Sequence, residues 1–258
     1  KTKNLKLNWR TDWPMRWHFE KVDFEPGGKD HSSEGGSYDT AKKIVKAVWD
    51  WTAPIYQQYD FVTIKGKGAK MSSSKGELFT LDQALEVYAP EIIRWIFAMQ
   101  RPNHDFSLAF DEDVIKVYDE FDRAECAALA CPADRSGKDG FLRRAYEFSM
   151  IERGSLPESQ PFRPPFRELC NRLQVCDGDI ERVLSRFYQN KIKTPFEETA
   201  FRQRARNAWN WLKNFAPEEF RYDLNKVPLA MDLSDADKTC LQDLIQVVTS
   251  VDLETVDP

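Results

Sequence analysis

The apolar positions change period along the chain. Over residues 17–24 (W-H-F-E-K-V-D-F) alternate side chains fall on opposite faces, the two-residue period of a strand, and Pro26-Gly27-Gly28 is a stop signal. Helical spacing follows over residues 37–56, where Ile44, Val45, Val48, Trp49 and Trp51 line one broad face. Ser37, with Thr40 in the first turn, is the expected cap. Residues 60–64 (D-F-V-T-I) read as a second short strand. Strand, glycine turn and helix in that order make the half-unit of an α/β sheet, which binds ligands at the carboxyl ends of its strands.

Beyond Gly76 the grammar is helical. Residues 81–99 have helical spacing divided in two by Pro90, residues 105–110 are extended, and residues 111–129 form an amphipathic helix. Further helices are expected over 141–151, 166–175, 179–189, 197–215 and 235–250, joined by proline-rich links such as 156–165. The fold class is therefore α/β followed by all-α, with the change near residues 80–100, and no internal repeat is visible.

Composition narrows this only modestly. With 41% hydrophobic, 13% aromatic and 31% charged residues among 258, the chain is a folding sequence rather than a disordered one. No run approaches the roughly 18 uncharged apolar residues of a membrane span, and residues 1–10 lack a signal-peptide core, so a cytoplasmic protein without a membrane partner is expected. Five cysteines, at 126, 131, 170, 176 and 240, form no C-x-x-C pair and accompany three histidines; neither a metal site nor a disulfide frame is expected. The net charge of −5 is segmented: residues 1–76 and 141–226 are net basic, residues 77–140 and 227–258 net acidic. Such alternation permits a polyanion to meet two positive regions, although solvated surface produces it too.

Three stretches carry candidate chemistry. Residues 65–76 concentrate Gly66, Gly68 and Gly76, three consecutive serines, and Lys65, Lys67, Lys70 and Lys75. Glycines let backbone N–H groups approach an oxyanion while serines and lysines add donors and charge, so a phosphate loop and a solvated basic turn are both open readings. Residues 25–37 place four glycines, Asp30 and His31 between strand and helix, where a nucleotide is approached closely and a carboxylate can take ribose hydroxyls; simple helix capping is the competing account. Trp9, Trp13 and Trp17 flank Asp12, an arrangement suited to an ammonium group, although a tryptophan-rich core edge accounts for them better, and Asp12 can merely pair with Arg10 or Arg16. Farther on, Arg202, Arg204 and Arg206 with Trp209 and Trp211 suit unstacked bases, but a helix with a partly buried tryptophan face accounts for them better.

Lys70-Met71-Ser72-Ser73-Ser74, followed by Lys75-Gly76, resembles the K-M-S-K-S signature of class I aminoacyl-tRNA synthetases. With D-W-P-M-R-W at 12–17, G-G-K-D-H at 27–31 and G-G-S-Y-D-T at 35–40, the chain is similar to class I lysyl-tRNA synthetases over about residues 8–130. The resemblance implies activation of lysine with ATP, accompanied by Mg2+, and transfer to tRNA(Lys). It implies catalytic roles for Lys70, Ser72, Ser74 and Lys75, and ATP or adenylate contacts by Gly28, Asp30, His31, Lys70, Met71 and Ser73. A lysine pocket is implied at Asp12, Trp13, Trp17 and Tyr38, continued by Ser37 and Asp39. Residues 1–80 would be the second half of the nucleotide-binding domain, 81–130 a helical stem-contact region, and 131–258 an incomplete helical anticodon-binding region. Two features depart from the pattern. Ser73 replaces the second lysine of K-M-S-K-S, and His18, His31 and His104 cannot form the family's pair of histidines three apart. A fragment lacking the first half of the catalytic fold, inactive alone, is therefore expected, with a non-catalytic tRNA-binding module as the alternative.

Overall fold

The computed structural model describes residues 7–66, 79–130, 137–151, 156–157, 159–225, 227 and 231–250. Helix α1 (Trp9–Glu20) opens on Asn8, whose side chain accepts from the Arg10 N–H, and closes at Lys21 in the left-handed conformation. The alternation over residues 17–24 is thus not a strand. Trp9, Trp13 and Trp17 stand four apart on one helical face, and packing Trp13 and Trp17 with Ala41 and Val45 outweighs the local two-residue pattern. The strand lies downstream as β1 (Phe24–Gly28) and contains the Pro-Gly-Gly expected to end one.

Helix α2 (Ser37–Trp49) stops at Trp49 rather than Tyr56, because Asp50 adopts left-handed backbone at φ 52°. Gly36, not Ser37, is its N-cap, and the Thr40 hydroxyl donates to the Gly36 carbonyl at 2.9 Å. Ile55 and Tyr56 belong to β2 (Ile55–Tyr59), a strand that helical spacing conceals. It pairs in parallel with β1, Phe24 opposite Ile55 through Gly28 opposite Tyr59, with α2 as the crossover. Strand β3 (Val62–Ile64) pairs in parallel with β4 (Phe106–Leu108), across α3 (Leu81–Val87) and α4 (Pro90–Ala98).

The helical remainder follows the expected order: α5 (Asp113–Ala130), α6 (Gly137–Ser149), α7 (Phe166–Val175), α8 (Ile180–Val183) continued by one wider turn at Leu184–Tyr188, α9 (Pro195–Asn214) and α10 (Asp235–Ser250). The chain divides into two units, Lys1–Tyr222 and Asp223–Pro258. Tyr88, Tyr118, Phe121, Phe166, Leu169, Phe201 and Trp211 are buried in the core of the first. In the second, α10 is capped by Ser234 and keeps Leu241, Leu244 and Ile245 exposed. Among the described residues no helix is long and apolar enough to cross a membrane.

In helix α9, Arg204, Asn207 and Trp211 are held by structural partners, whereas Arg206 is exposed. Arg204 is 3% exposed and forks onto Asp122 at 2.9 and 2.6 Å. Asn207 donates to the carbonyls of Leu85 and Glu86, and the Trp211 indole donates to the Phe110 carbonyl at 3.0 Å. Burial pushes the Asp122 carboxyl up, and the Arg204 charge opposes it.

Glu197 is more than a match for the helix dipole. It closes a capping box with Thr194 and accepts the N–H groups of Phe162, Lys193 and Thr194, which hold its carboxyl below the usual range. Its contribution to stability is fully present above the unfolded value near 4.5 and is lost as pH falls through the lower folded value. Glu197→Gln is expected to melt below the wild type at pH 7, with the gap narrowing in melts carried below about pH 4.5; a constant gap across that range would remove the carboxylate from the explanation.

Candidate functional site

The carboxyl end of β1 leads into a turn that carries Gly28, Asp30 and His31. Gly27 and Gly28 are buried, and Lys29–His31 form a single 3₁₀ turn. A Cβ on Gly27 would lie 2.1 Å from the Tyr56 hydroxyl, and one on Gly28 would lie 2.7 Å from Asp30 Oδ1, so neither position admits a side chain without a shift. Ser32 Oγ donates to the Gly28 carbonyl at 3.0 Å and lies 2.8 Å from the Tyr56 hydroxyl. Lys29 pairs with Asp60 at 2.6 Å, which holds the Asp60 carboxyl below its ordinary value. After the turn α2 starts on Gly36 without a side-chain cap.

Against this turn stands an aromatic face. Trp9 stacks on Trp13 with centroids 5.0 Å apart, Trp13 lies 5.1 Å from Trp17, and both Trp13 and Trp17 contact Tyr38, at 6.2 and 5.6 Å. Tyr38 stacks on Tyr56 at 3.8 Å; burial, then the neighbouring Tyr56, raises its pKa. The His31 ring reaches this face, 5.8 Å from Trp13 and 6.4 Å from Trp9, while its Nε2 is 4.0 Å from Asp30 Oδ1. Two candidate sets that are separate in the sequence are therefore neighbours.

Other candidates are placed differently. Asp12 is held by Arg16 at 2.8 Å, a pairing its spacing allowed. Asp39 faces Lys43 and Lys42, at 2.9 and 3.7 Å, and the Lys43 hydrogen bond is the main cause of its lowered pKa. Lys65 is engaged by Asp111 and Asp113, hydrogen bonds that raise its pKa, so its charge is already compensated. Lys70, Met71, Ser72, Ser73, Ser74 and Lys75 lie outside the described residues. Glu25, a half-buried carboxylate at the edge of the glycine segment, accepts the Trp17 indole N–H at 2.9 Å and so joins the aromatic face. Tyr56 joins it too. The sequence pattern assigns Tyr56 to a helix, and the strand register that sets it opposite Glu25 reveals it.

Trp13 and Trp17 are buried in the small core they form with Ala41 and Val45, while Asp30 is exposed and His31 and Tyr38 are half-buried. A cavity of about 470 Å³ lies among Pro90, Tyr118, Phe121, Phe196 and Arg204, and none of the described ATP or lysine candidates lines it. Among the described residues no three His, Cys, Asp or Glu side chains gather as a metal site.

Residues 1–152 match the family model described as tRNA synthetases class I (K). A lysine–tRNA ligase of Treponema pallidum is 43% identical over 242 residues, covering 91% of this chain and 45% of that protein. One from Borreliella burgdorferi is 41% identical over 221 residues, covering 85% and 41%, and one from Thermococcus kodakarensis 40% identical over 236 residues, covering 89% and 44%. The chain spans about half the length of the curated relatives it matches.

Proposed function

From its membership of the class I tRNA synthetase (K) family, to which this chain belongs, we propose that in the full-length protein it forms part of a lysine–tRNA ligase site. There the lysine carboxylate attacks the α-phosphorus of ATP, giving lysyl-adenylate and releasing pyrophosphate. A terminal ribose hydroxyl of tRNA(Lys) then attacks the adenylate carbonyl and AMP leaves. One contact supports this reading most: His31 against Trp13 puts the glycine turn beside the tryptophan face, as a site that joins a nucleotide to an amino acid requires.

In this reading the backbone at Gly28 admits the nucleotide closely, and Asp30 and His31 meet its ribose. Tyr38 and the edge of Trp13 receive the lysine side chain, with the fully buried Trp17 packed against both; the lysine ammonium favours aromatic faces and a carboxylate. Glu25, tied to Trp17, supplies that carboxylate in preference to Asp12, which Arg16 occupies. Lys70, Ser72, Ser74 and Lys75, with Met71 and Ser73, take the departing pyrophosphate, Lys75 or Lys70 replacing the lysine that Ser73 displaces. Mg2+ would arrive on the ATP phosphates and offset their charge. Residues 81–130 are assigned to the tRNA stem and 131–258 to the anticodon arm.

Lysine-dependent exchange of pyrophosphate into ATP tests the proposal on this chain and on the full-length gene product. Exchange is expected in the full-length protein and not in the 258-residue chain, which spans under half of its relatives. No exchange in either, with tRNA(Lys) binding retained, would replace the enzyme by a tRNA-binding module.

A further inference from the structure

Tyr56 belongs to the aromatic face and also touches the glycine turn. Glu25 of β1 lies opposite it, and its ring reaches along the strand to Gly27, where a Cβ would fall 2.1 Å from the hydroxyl and 2.5 Å from the ring. The bare backbone of Gly27 is the slot that holds the ring. Beyond it the hydroxyl meets Ser32 Oγ at 2.8 Å. Ser32 has one hydroxyl proton and gives it to the Gly28 carbonyl at 3.0 Å, so Tyr56 is the donor to Ser32. Gly28 and Ser32 bracket Lys29–His31, and this relay therefore draws together the two ends of the turn that carries Asp30 and His31. The opposite face of the story is aromatic: the Tyr56 ring lies 3.8 Å from Tyr38 at an interplanar angle of 18°, and the Tyr38 hydroxyl is anchored on the Pro54 carbonyl at 3.3 Å.

We propose that Tyr56 is a positioning residue with two separable actions, its hydroxyl setting the nucleotide turn through Ser32 and its ring setting Tyr38 on the lysine side. The inference rests on the site assignment under Proposed function. It differs from simple packing because the two actions reside on different atoms. Removing the hydroxyl should reach ATP alone, whereas removing the ring should reach both substrates.

The test uses the full-length gene product with Tyr56→Phe, Ser32→Ala, their combination and Tyr56→Leu, each checked by thermal melting. In lysine-dependent pyrophosphate exchange, Tyr56→Phe is expected to raise the KM for ATP about five-fold, the worth of one hydrogen bond, with the KM for lysine unchanged. Ser32→Ala should do the same, and the double variant should be no worse than either single one, because both break one relay. Tyr56→Leu should raise both KM values. Unchanged ATP kinetics in Tyr56→Phe, equal losses for both substrates, or additive effects in the double variant would each overturn the proposal. Should the wild type show no lysine-dependent exchange, the enzyme reading fails, and tryptophan fluorescence titrated with ATP decides this one. A weaker ATP titration in Tyr56→Phe and in Ser32→Ala sustains the relay; equal titrations, or a wild type that ignores ATP, end it.

Discussion

Lys70→Ala in the full-length gene product is expected to slow adenylate formation about 100- to 1,000-fold, the usual cost of removing one donor aimed at developing charge. Negative charge builds on the pyrophosphate only as its bond to the α-phosphorus breaks, so a lysine placed there acts on the transition state more than on bound ATP. Lysine affinity, measured by equilibrium binding, should change far less, because in the proposed site the aromatic side chains, and not the loop, meet the amino acid. Equal losses in rate and in lysine binding would argue against a transition-state role. Lys65 makes a useful contrast. Its ammonium is already shared by Asp111 and Asp113 at the start of α5, so Lys65→Gln should not reproduce the Lys70 defect.

The second large effect concerns stability. Arg163→Met is expected to destabilise the first unit by about 3–5 kcal/mol, the cost of leaving one member of a buried ion pair without its partner. Glu125 is fully buried within α5, and it accepts two hydrogen bonds from Arg163, at 2.6 and 2.9 Å, and one from the Tyr146 hydroxyl at 2.6 Å. Without Arg163 the carboxylate keeps only the tyrosine. A lowering of the melting temperature by about 6–20 °C is expected for a unit of this size. The paired replacement Glu125→Leu with Arg163→Met should recover much of the loss, since no buried charge then remains. A paired variant as unstable as the single one would show that packing of the Arg163 stem, and not charge, holds the 160s segment.

How legible these features were depends on the range over which each is determined. Helices α4, α7 and α10 follow from spacing and from Pro90, because side chains three and four apart meet on one turn whatever else the chain does. Motif order along residues 12–76 marks the family without any coordinates, and the glycine turn and the tryptophans are visible as separate sets. Residues 17–24 show the opposite case. Their two-residue alternation is genuine, yet the tryptophan stripe buries more apolar surface as a helix on α2, and tertiary burial outweighs local propensity. The same holds for Ile55 and Tyr56, which extend the apolar face of a helix on paper and form β2 because Asp50 turns the chain back alongside β1.

Local order along the chain therefore determined most of the helices, the α/β-then-helical plan and most of the candidate residues. Only the tertiary structure decided which of them meet: His31 beside Trp13, Glu25 on Trp17, Tyr56 in the space left by Gly27, and Glu125 reached by Arg163 from 38 residues away. Periodicity is set within a few residues, where backbone geometry repeats. Pairing between distant side chains depends on strand register and helix packing, which are properties of the whole buried surface and leave no period in the sequence.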